Sequence, residues 1–262
     1  MDFTLKTYKN LLMALTQAGY SFQTYAGFIK NPAPKVVVLR HDVDLLPANS
    51  LAFAHIQHQL SIEGTYYFRA VPESWDETII RKIAALGHEI GYHYENLTSC
   101  KGNLQSAIDD FEHNLSKLRK LVTIETICMH GSPKSKFDSK DLWKIYNYRN
   151  YGIIGEPYFD TDFSQVFYLT DTGRRWDGHK YSVRDKVQYK ASGTKGNFAL
   201  PDKLKLKSTT DIIHALHTCR LPEKLMFTFH PQRWSDKPLP WLKELVIQNL
   251  KNEVKRWFFV KK

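Results

Sequence analysis

The chain reads as an α/β protein, a distorted (β/α) barrel with fewer than eight strands, on three observations. Apolar runs rich in β-formers alternate with segments of helical periodicity, joined by short connections, which is the pattern of parallel βαβ units. The run Val36-Val37-Val38-Leu39 is apolar at every position, as a strand buried on both faces must be. No Gly-rich phosphate loop follows that strand, so the sequence mark of an open, doubly wound nucleotide-binding sheet is missing.

At 262 residues and 42% hydrophobic, the chain is long enough for one large core. It has no repeat, low-complexity tract or linker, so one domain is expected over 1–262, with helical additions at 1–30 and 239–262. Within Met1 to Tyr20, Leu11, Leu12 and Leu15 stand at helical spacing among Lys6, Lys9 and Asn10, an amphipathic helix rather than a secretion signal. The Asn31-Pro32-Ala33-Pro34 break precedes the first strand, and a helix is expected from about Ala48 to Leu60. Gly64 to Ala70 reads as the second strand, and Ser74 with Glu77 as a capping box opening a helix through Leu86, closed by Gly87.

His88 to Glu95 is the third strand. Leu104, Ile108, Phe111, Leu115 and Leu118 mark a helix over Asn103 to Leu121, before a fourth strand from Ile124 to Met129. Asp138 to Tyr146 and Thr209 to Cys219 are expected helical, Tyr151 to Ile154 and Leu225 to Phe229 extended, with a last helix after Pro240. Between Gln165 and Tyr189 only short β-like runs can be read, around Asp171, Arg174, Trp176 and Asp177.

The strand ends carry the chemistry. Asp42 and Asp44, His93 and Glu95, His130, and His230 each stand where an apolar strand gives out, the end at which α/β folds place their sites. Carboxylates two residues apart on an extended chain point to one side and repel unless a cation lies between them; a divalent metal is the commonest solution. The alternative for Asp44 is a cap on the helix that follows Leu45-Leu46-Pro47. One strand ending in His is ordinary; four ending in His or Asp are hard to attribute to capping.

At these positions the chain resembles the polysaccharide deacetylases, the NodB-homology fold of carbohydrate esterase family 4. His41-Asp42-Val43-Asp44 is similar to that family's first motif in its Asp-x-Asp form, and Gly87-His88-Glu89-Ile90-Gly91-Tyr92-His93 to its second. Leu225-Met226-Phe227-Thr228-Phe229-His230 is similar to its last, so the resemblance runs in order from Val36 to His230. It implies a metal-dependent hydrolase that removes an N- or O-linked acetyl group from a sugar. In that reading Asp42 is the general base, Asp44 and His93 bind a divalent metal ion, usually zinc, and His230 is the general acid.

The chain departs from the family in two places. The further metal-binding His that follows the first by four residues is replaced by Leu97. The third ligand is then His130 or Glu95; His130 is preferred because Asp/His/His suits zinc, while Glu95 shares a side with His93 if the chain stays extended. The family's Arg-containing turn is also not visible. His130-Gly131-Ser132-Pro133 stands in its place, and Arg40 or Arg69 is expected to orient Asp42. Arg174-Arg175-Trp176-Asp177 is the candidate for the family's Asp/Trp motif, in which an Asp steadies the catalytic His. Substrate contacts are expected from Arg40, Glu95, Arg69, Trp176 and Asp177, with an aromatic wall over Glu156 to Ser192 that includes Tyr158, Phe159 and Tyr181. His88 is expected to be structural.

The formal charge of +10 raises nucleic acid as a partner, yet the basic residues are scattered and the aromatics Tyr66, Tyr67, Phe68, Phe227 and Phe229 fall in strands. Nucleic acid is therefore not expected. The charge suits an acetylated sugar or polysaccharide precursor on an anionic nucleotide or lipid carrier. No stretch reaches 18 apolar residues, so no transmembrane segment is expected. The C-terminal helix is expected to pack its apolar side and leave its basic side solvated, in preference to lying on a membrane. Three widely spaced cysteines, Cys100, Cys128 and Cys219, agree with a reducing, cytoplasmic location. The competing function is an inactive deacetylase-like carbohydrate-binding module. Leu97 supports it; retention of Asp42, Asp44, His93 and His230 opposes it.

Overall fold

The apolar run Val36–Leu39 lies at the centre of a parallel sheet. The computed structural model of the chain describes residues 1–132, 135–177 and 205–258, so Tyr181 and the rest of the expected wall beyond Asp177 fall outside it. The elements are α1 (Leu5–Gln17), β1 (Ser21–Gln23), α2 (Tyr25–Lys30), β2 (Val36–Val43), α3 (Pro47–Gln59), β3 (Thr65–Phe68), α4 (Glu77–Ala85) and β4 (Glu89–Tyr94). They continue as α5 (Asn96–Ser99), α6 (Leu104–Arg119), β5 (Ile127–Met129), α7 (Pro157–Asp160), β6 (Phe167–Thr170), α8 (Thr209–His217), β7 (Lys224–Phe229) and α9 (Pro238–Phe258). Among the described residues seven strands form one sheet in the order β5-β4-β3-β2-β7-β6, with β1 beside the first half of β2. Every pairing is parallel.

The pleat sorts β2 into two faces. Val37, Leu39 and Val43 face the helices and join the large core with Tyr8, Leu11, Leu12, Leu15 and Phe53. Val36 and Val38 face the concave side, where they pack with Tyr25, Phe28, Val166, Tyr168 and Met226. Each such side chain fully buried contributes about 1.5–3 kcal/mol, which is why a run with no polar position is needed here. The concave side is filled closely. A Cβ on Gly91 would lie 2.3 Å from the ring of Tyr67, whose hydroxyl bonds Thr126 Oγ1 at 3.0 Å. Gly91 of the second motif is thus required by packing.

The sheet curls into a distorted (β/α) barrel. Strands β2 and β5 are three positions apart, about 14 Å in a flat sheet at ~4.8 Å per strand. Yet His130, one residue past β5, brings Nε2 to 3.6 Å from Asp44 Oδ1, one residue past β2. Beyond β5 the pairing goes on through a single bridge between Thr126 and Gly155.

The local differences from expectation have local causes. Ser74 does not cap α4; Asp76 does, accepting from Ile79 N, while the Ser74 hydroxyl donates to the strand-end carbonyl of Val43. Tyr151–Ile154 is not a strand. Residues Tyr148–Tyr151 form a 3-10 turn that Gly152 ends in the left-handed region at φ +70°. The expected helical addition at 1–30 is α1, β1 and α2, and a three-residue strand is too short to show alternation. No described helix is long and apolar enough to cross a membrane.

Candidate metal and acid–base site

The concave face of β2 continues past Val38 as Arg40, Asp42 and Asp44. Arg40 donates from Nε to Asp42 Oδ1 at 2.8 Å and from Nη2 to Oδ2 at 2.6 Å, a two-pronged pair with both side chains buried. Burial pushes the Asp42 carboxyl up, but Arg40 together with His93 and His230 outweighs it, and the pKa falls to about 2. Arg40, one of the two arginines expected to hold Asp42, does so; Arg69 does not.

Asp44 is turned into the same concavity. It does not cap α3, because Leu46 is the residue before that helix, in the left-handed region at φ 53°, with no side-chain cap. Its Oδ2 accepts from Gln232 Nε2 at 3.1 Å, whereas Oδ1 is buried and has no hydrogen-bond partner. Oδ1 stands 3.6 Å from His93 Nε2 and 3.6 Å from His130 Nε2, and the three ligand atoms lie within 4.8 Å of one another. An orphaned buried carboxylate oxygen between two imidazole nitrogens fits a divalent cation, and Asp/His/His is a zinc-type donor set. A deeper group, Asp42, His93 and Cys128, is less suited, since Arg40 already takes both Asp42 oxygens.

The imidazoles are oriented from behind. His93 Nδ1 donates to Cys128 O at 2.9 Å, and His130 Nδ1 to Glu95 Oε2 at 2.8 Å, so each presents Nε2 to Asp44. Glu95 is held by Arg69, whose Nε reaches Oε1 at 2.8 Å and whose Nη1 donates to Asp44 O at 3.0 Å. Glu95 thus lies behind His130 rather than in its place. Leu97, where the family's second His would stand, is buried in the core on the helix side.

On the opposite rim His230 Nε2 lies 3.9 Å from Asp44 Oδ2, and its Nδ1 donates to Asp171 Oδ1 at 2.5 Å. Asp171 Oδ2 also accepts from His230 N at 2.9 Å and from Trp234 Nε1 at 2.7 Å, and Arg233 Nη1 reaches Oδ1 at 3.0 Å. Burial and Arg233 push the His230 pKa down; Asp171 and Asp44 outweigh them and the net shift is upward.

This corrects the Arg174-Arg175-Trp176-Asp177 assignment. Asp177 is bonded to Arg175 at 2.7 Å, and Trp176 is buried in the core with Nε1 on Thr209 Oγ1; the carboxylate on His230 is that of Asp171. Asp171 and Trp234 do that work instead. Their signal was present: Val166 to Leu169 is one more apolar run ending in Thr170-Asp171. Arg40, Arg69 and Glu95 each have their charged group bonded to another residue of the site: Arg40 to Asp42, Arg69 to Glu95, and Glu95 to His130. Of the expected wall, Tyr158 stays near: its ring lies under Arg40 at 5.2 Å and Lys140 at 4.9 Å. His88 is structural, with Nε2 on Ala54 O at 3.0 Å. Glu156, not foreseen as a support, accepts from Met129 N, Tyr158 N and Phe159 N, which ties β5 to α7; burial pushes its pKa up to about 7.

No family model matches the sequence, and no curated protein matches it. Among solved structures the chain is similar to a carbohydrate esterase family 4 pseudoenzyme from Bacillus anthracis, at 11% identity and TM-score 0.45; the match covers 86% of this chain and 63% of that one. It is also similar to a family 4 esterase of Streptococcus mutans, at 12% identity and TM-score 0.44, over 92% and 90% of the two chains. A family 4 carbohydrate esterase of Bacillus subtilis matches at 11% identity and TM-score 0.40, over 92% and 84%. In its motifs the chain resembles the family 4 carbohydrate esterases.

Proposed function

We propose that the chain is a metal-dependent hydrolase that removes an N- or O-linked acetyl group from a sugar, with Asp44, His93 and His130 holding zinc. The observation that carries this reading is the unpartnered Asp44 Oδ1, buried at equal distance from two imidazoles that are each oriented through Nδ1. When bound, the ion supplies Lewis-acid polarisation of the acyl group and acidifies a water. Asp42, kept ionised by Arg40, takes the proton of the attacking water. His230, whose raised pKa keeps more of it protonated near neutrality, gives a proton to the departing amine or alkoxide, while Asp171 fixes its ring. Glu95 and Arg69 position His130.

The substrate is an acetylated sugar of a cell-surface polysaccharide precursor, carried on a nucleotide or lipid, and the reaction is cytoplasmic. Elemental analysis of the purified protein, beside Asp44→Ala and His130→Ala, tests the site. Near-stoichiometric zinc lost in both variants, with acetate released from acetylated sugars by the wild type alone, is the expected result. A wild type that takes up no metal after incubation with zinc overturns the hydrolase and leaves the carbohydrate-binding module.

A further inference from the structure

Helix α9 turns its apolar side outward. Leu239, Leu242, Val246, Leu250 and Val254 recur at spacings of three and four, so they form one stripe, and each is at least half exposed. The side that meets the protein is mixed, with Trp241 and Leu245 half-buried beside two polar side chains. Gln248 and Asn252 are buried there, with Asn252 Nδ2 on Gly173 O at 2.9 Å, and Trp241 Nε1 donates to Asp2 O at 2.7 Å. The expected packing of the apolar residues holds in part: Trp241 and Leu245 are half-buried, whereas Leu250 and Val254 are exposed. A continuous apolar stripe of this kind on a protein surface marks an interaction site.

The charge says with what. Residues 237–262 hold seven Lys and Arg against Glu244 and Glu253, a net +5, which is half of the chain's +10 in a tenth of its length. The same stretch carries Trp257, Phe258 and Phe259. An exposed apolar stripe on a helix, with an excess of basic residues and aromatic residues toward one end, is the make-up of a helix that lies in the plane of an anionic membrane surface.

We infer that α9 docks this protein on an anionic lipid bilayer, with Leu242, Val246 and Leu250 entering the headgroup boundary. The helix rests on Gly173 and Arg174, in the loop that follows β6, and so lies at the strand-end rim where Asp171 and His230 are. Docking therefore brings that rim toward the lipid surface. The inference does not depend on the chemistry of the site.

Co-sedimentation of the full chain with vesicles tests it, using phosphatidylcholine alone and phosphatidylcholine mixed with phosphatidylglycerol. The expected result is binding to the mixed vesicles only, weakened by high salt. In the double variant Leu242→Glu/Leu250→Glu the affinity falls by about tenfold or more, while the thermal melt is unchanged because both side chains are exposed. The inference is overturned by no binding to the mixed vesicles, by equal binding to neutral ones, or by a variant that binds as the wild type does. Sedimentation equilibrium identifies the alternative occupant: a dimer that the same variant splits, with no vesicle binding, makes the stripe a contact between two copies of the chain.

Discussion

His41 and Asp42 adjoin in the sequence and lie on opposite faces of β2. On the helix face, His41 stacks on Tyr66 with ring centroids 4.1 Å apart, donates from Nδ1 to Thr65 O and accepts at Nε2 from the Tyr8 hydroxyl, both at 3.0 Å. Burial pushes its pKa down to about 3, so it stays neutral and has no free nitrogen. On the concave face, His93, His130 and His230 each have only Nδ1 tied and point Nε2 toward Asp44. The residue type is the same; the pleat decides whether an imidazole fills a core or faces a carboxylate.

The largest expected effect belongs to the concave face. Asp44→Ala takes bound metal, measured by elemental analysis, from near one ion per chain to background. Glu95→Ala keeps the ligands and loses only the support behind His130, so chelator competition reads a metal affinity about 10- to 100-fold weaker. Equal loss in the two variants puts Glu95 among the ligands instead.

Arg40→Ala leaves the Asp42 carboxylate buried and unpaired, and urea unfolding shows a loss of about 3–5 kcal/mol. On the other face, His41→Ala opens a cavity among Tyr66, Phe53 and Phe229 and strands the Tyr8 hydroxyl, a loss of about 3 kcal/mol. The discriminating measurement is metal content, which His41→Ala retains. A folded His41→Ala protein without metal breaks the division between the faces.

How much of this was legible follows the same division. The alternation of strands and helices and the residues at strand ends, Asp42, Asp44, His93, His130 and His230, are local patterns and can be read one strand at a time. Their supports are not. Arg40 lies two residues from Asp42 and could be guessed, but Asp171 meets His230 across 59 positions of sequence, and Glu95 meets His130 across 35. Trp176-Asp177 looked right by composition, and its neighbours Arg175 and Thr209 took both side chains. The outward turn of Leu242, Val246 and Leu250 on α9 was equally hidden, because periodicity locates an apolar stripe without saying which way it faces.

The His230–Asp171 pair offers the finest test, because its two members set a pH window with opposite signs. The folded pKa of His230 is raised, so its contribution is complete below the ordinary 6.5 and is lost as pH rises through the raised value. Burial pushes the Asp171 carboxyl up, but His230 and Arg233 draw it down overall, so its contribution is complete above the ordinary 3.8 and is lost as pH falls through the lowered value. The pair therefore stabilises the fold most between about pH 4 and 6.5. Asp171→Asn removes the charge and keeps the shape. Urea midpoints in the presence of chelator, converted to free energies, then differ between wild type and variant by about 2 kcal/mol inside that window. The difference shrinks toward both ends. A difference that stays flat from acid to alkali means that Asp171 acts on His230 through shape alone, and that the buried charge on this rim belongs to Arg233.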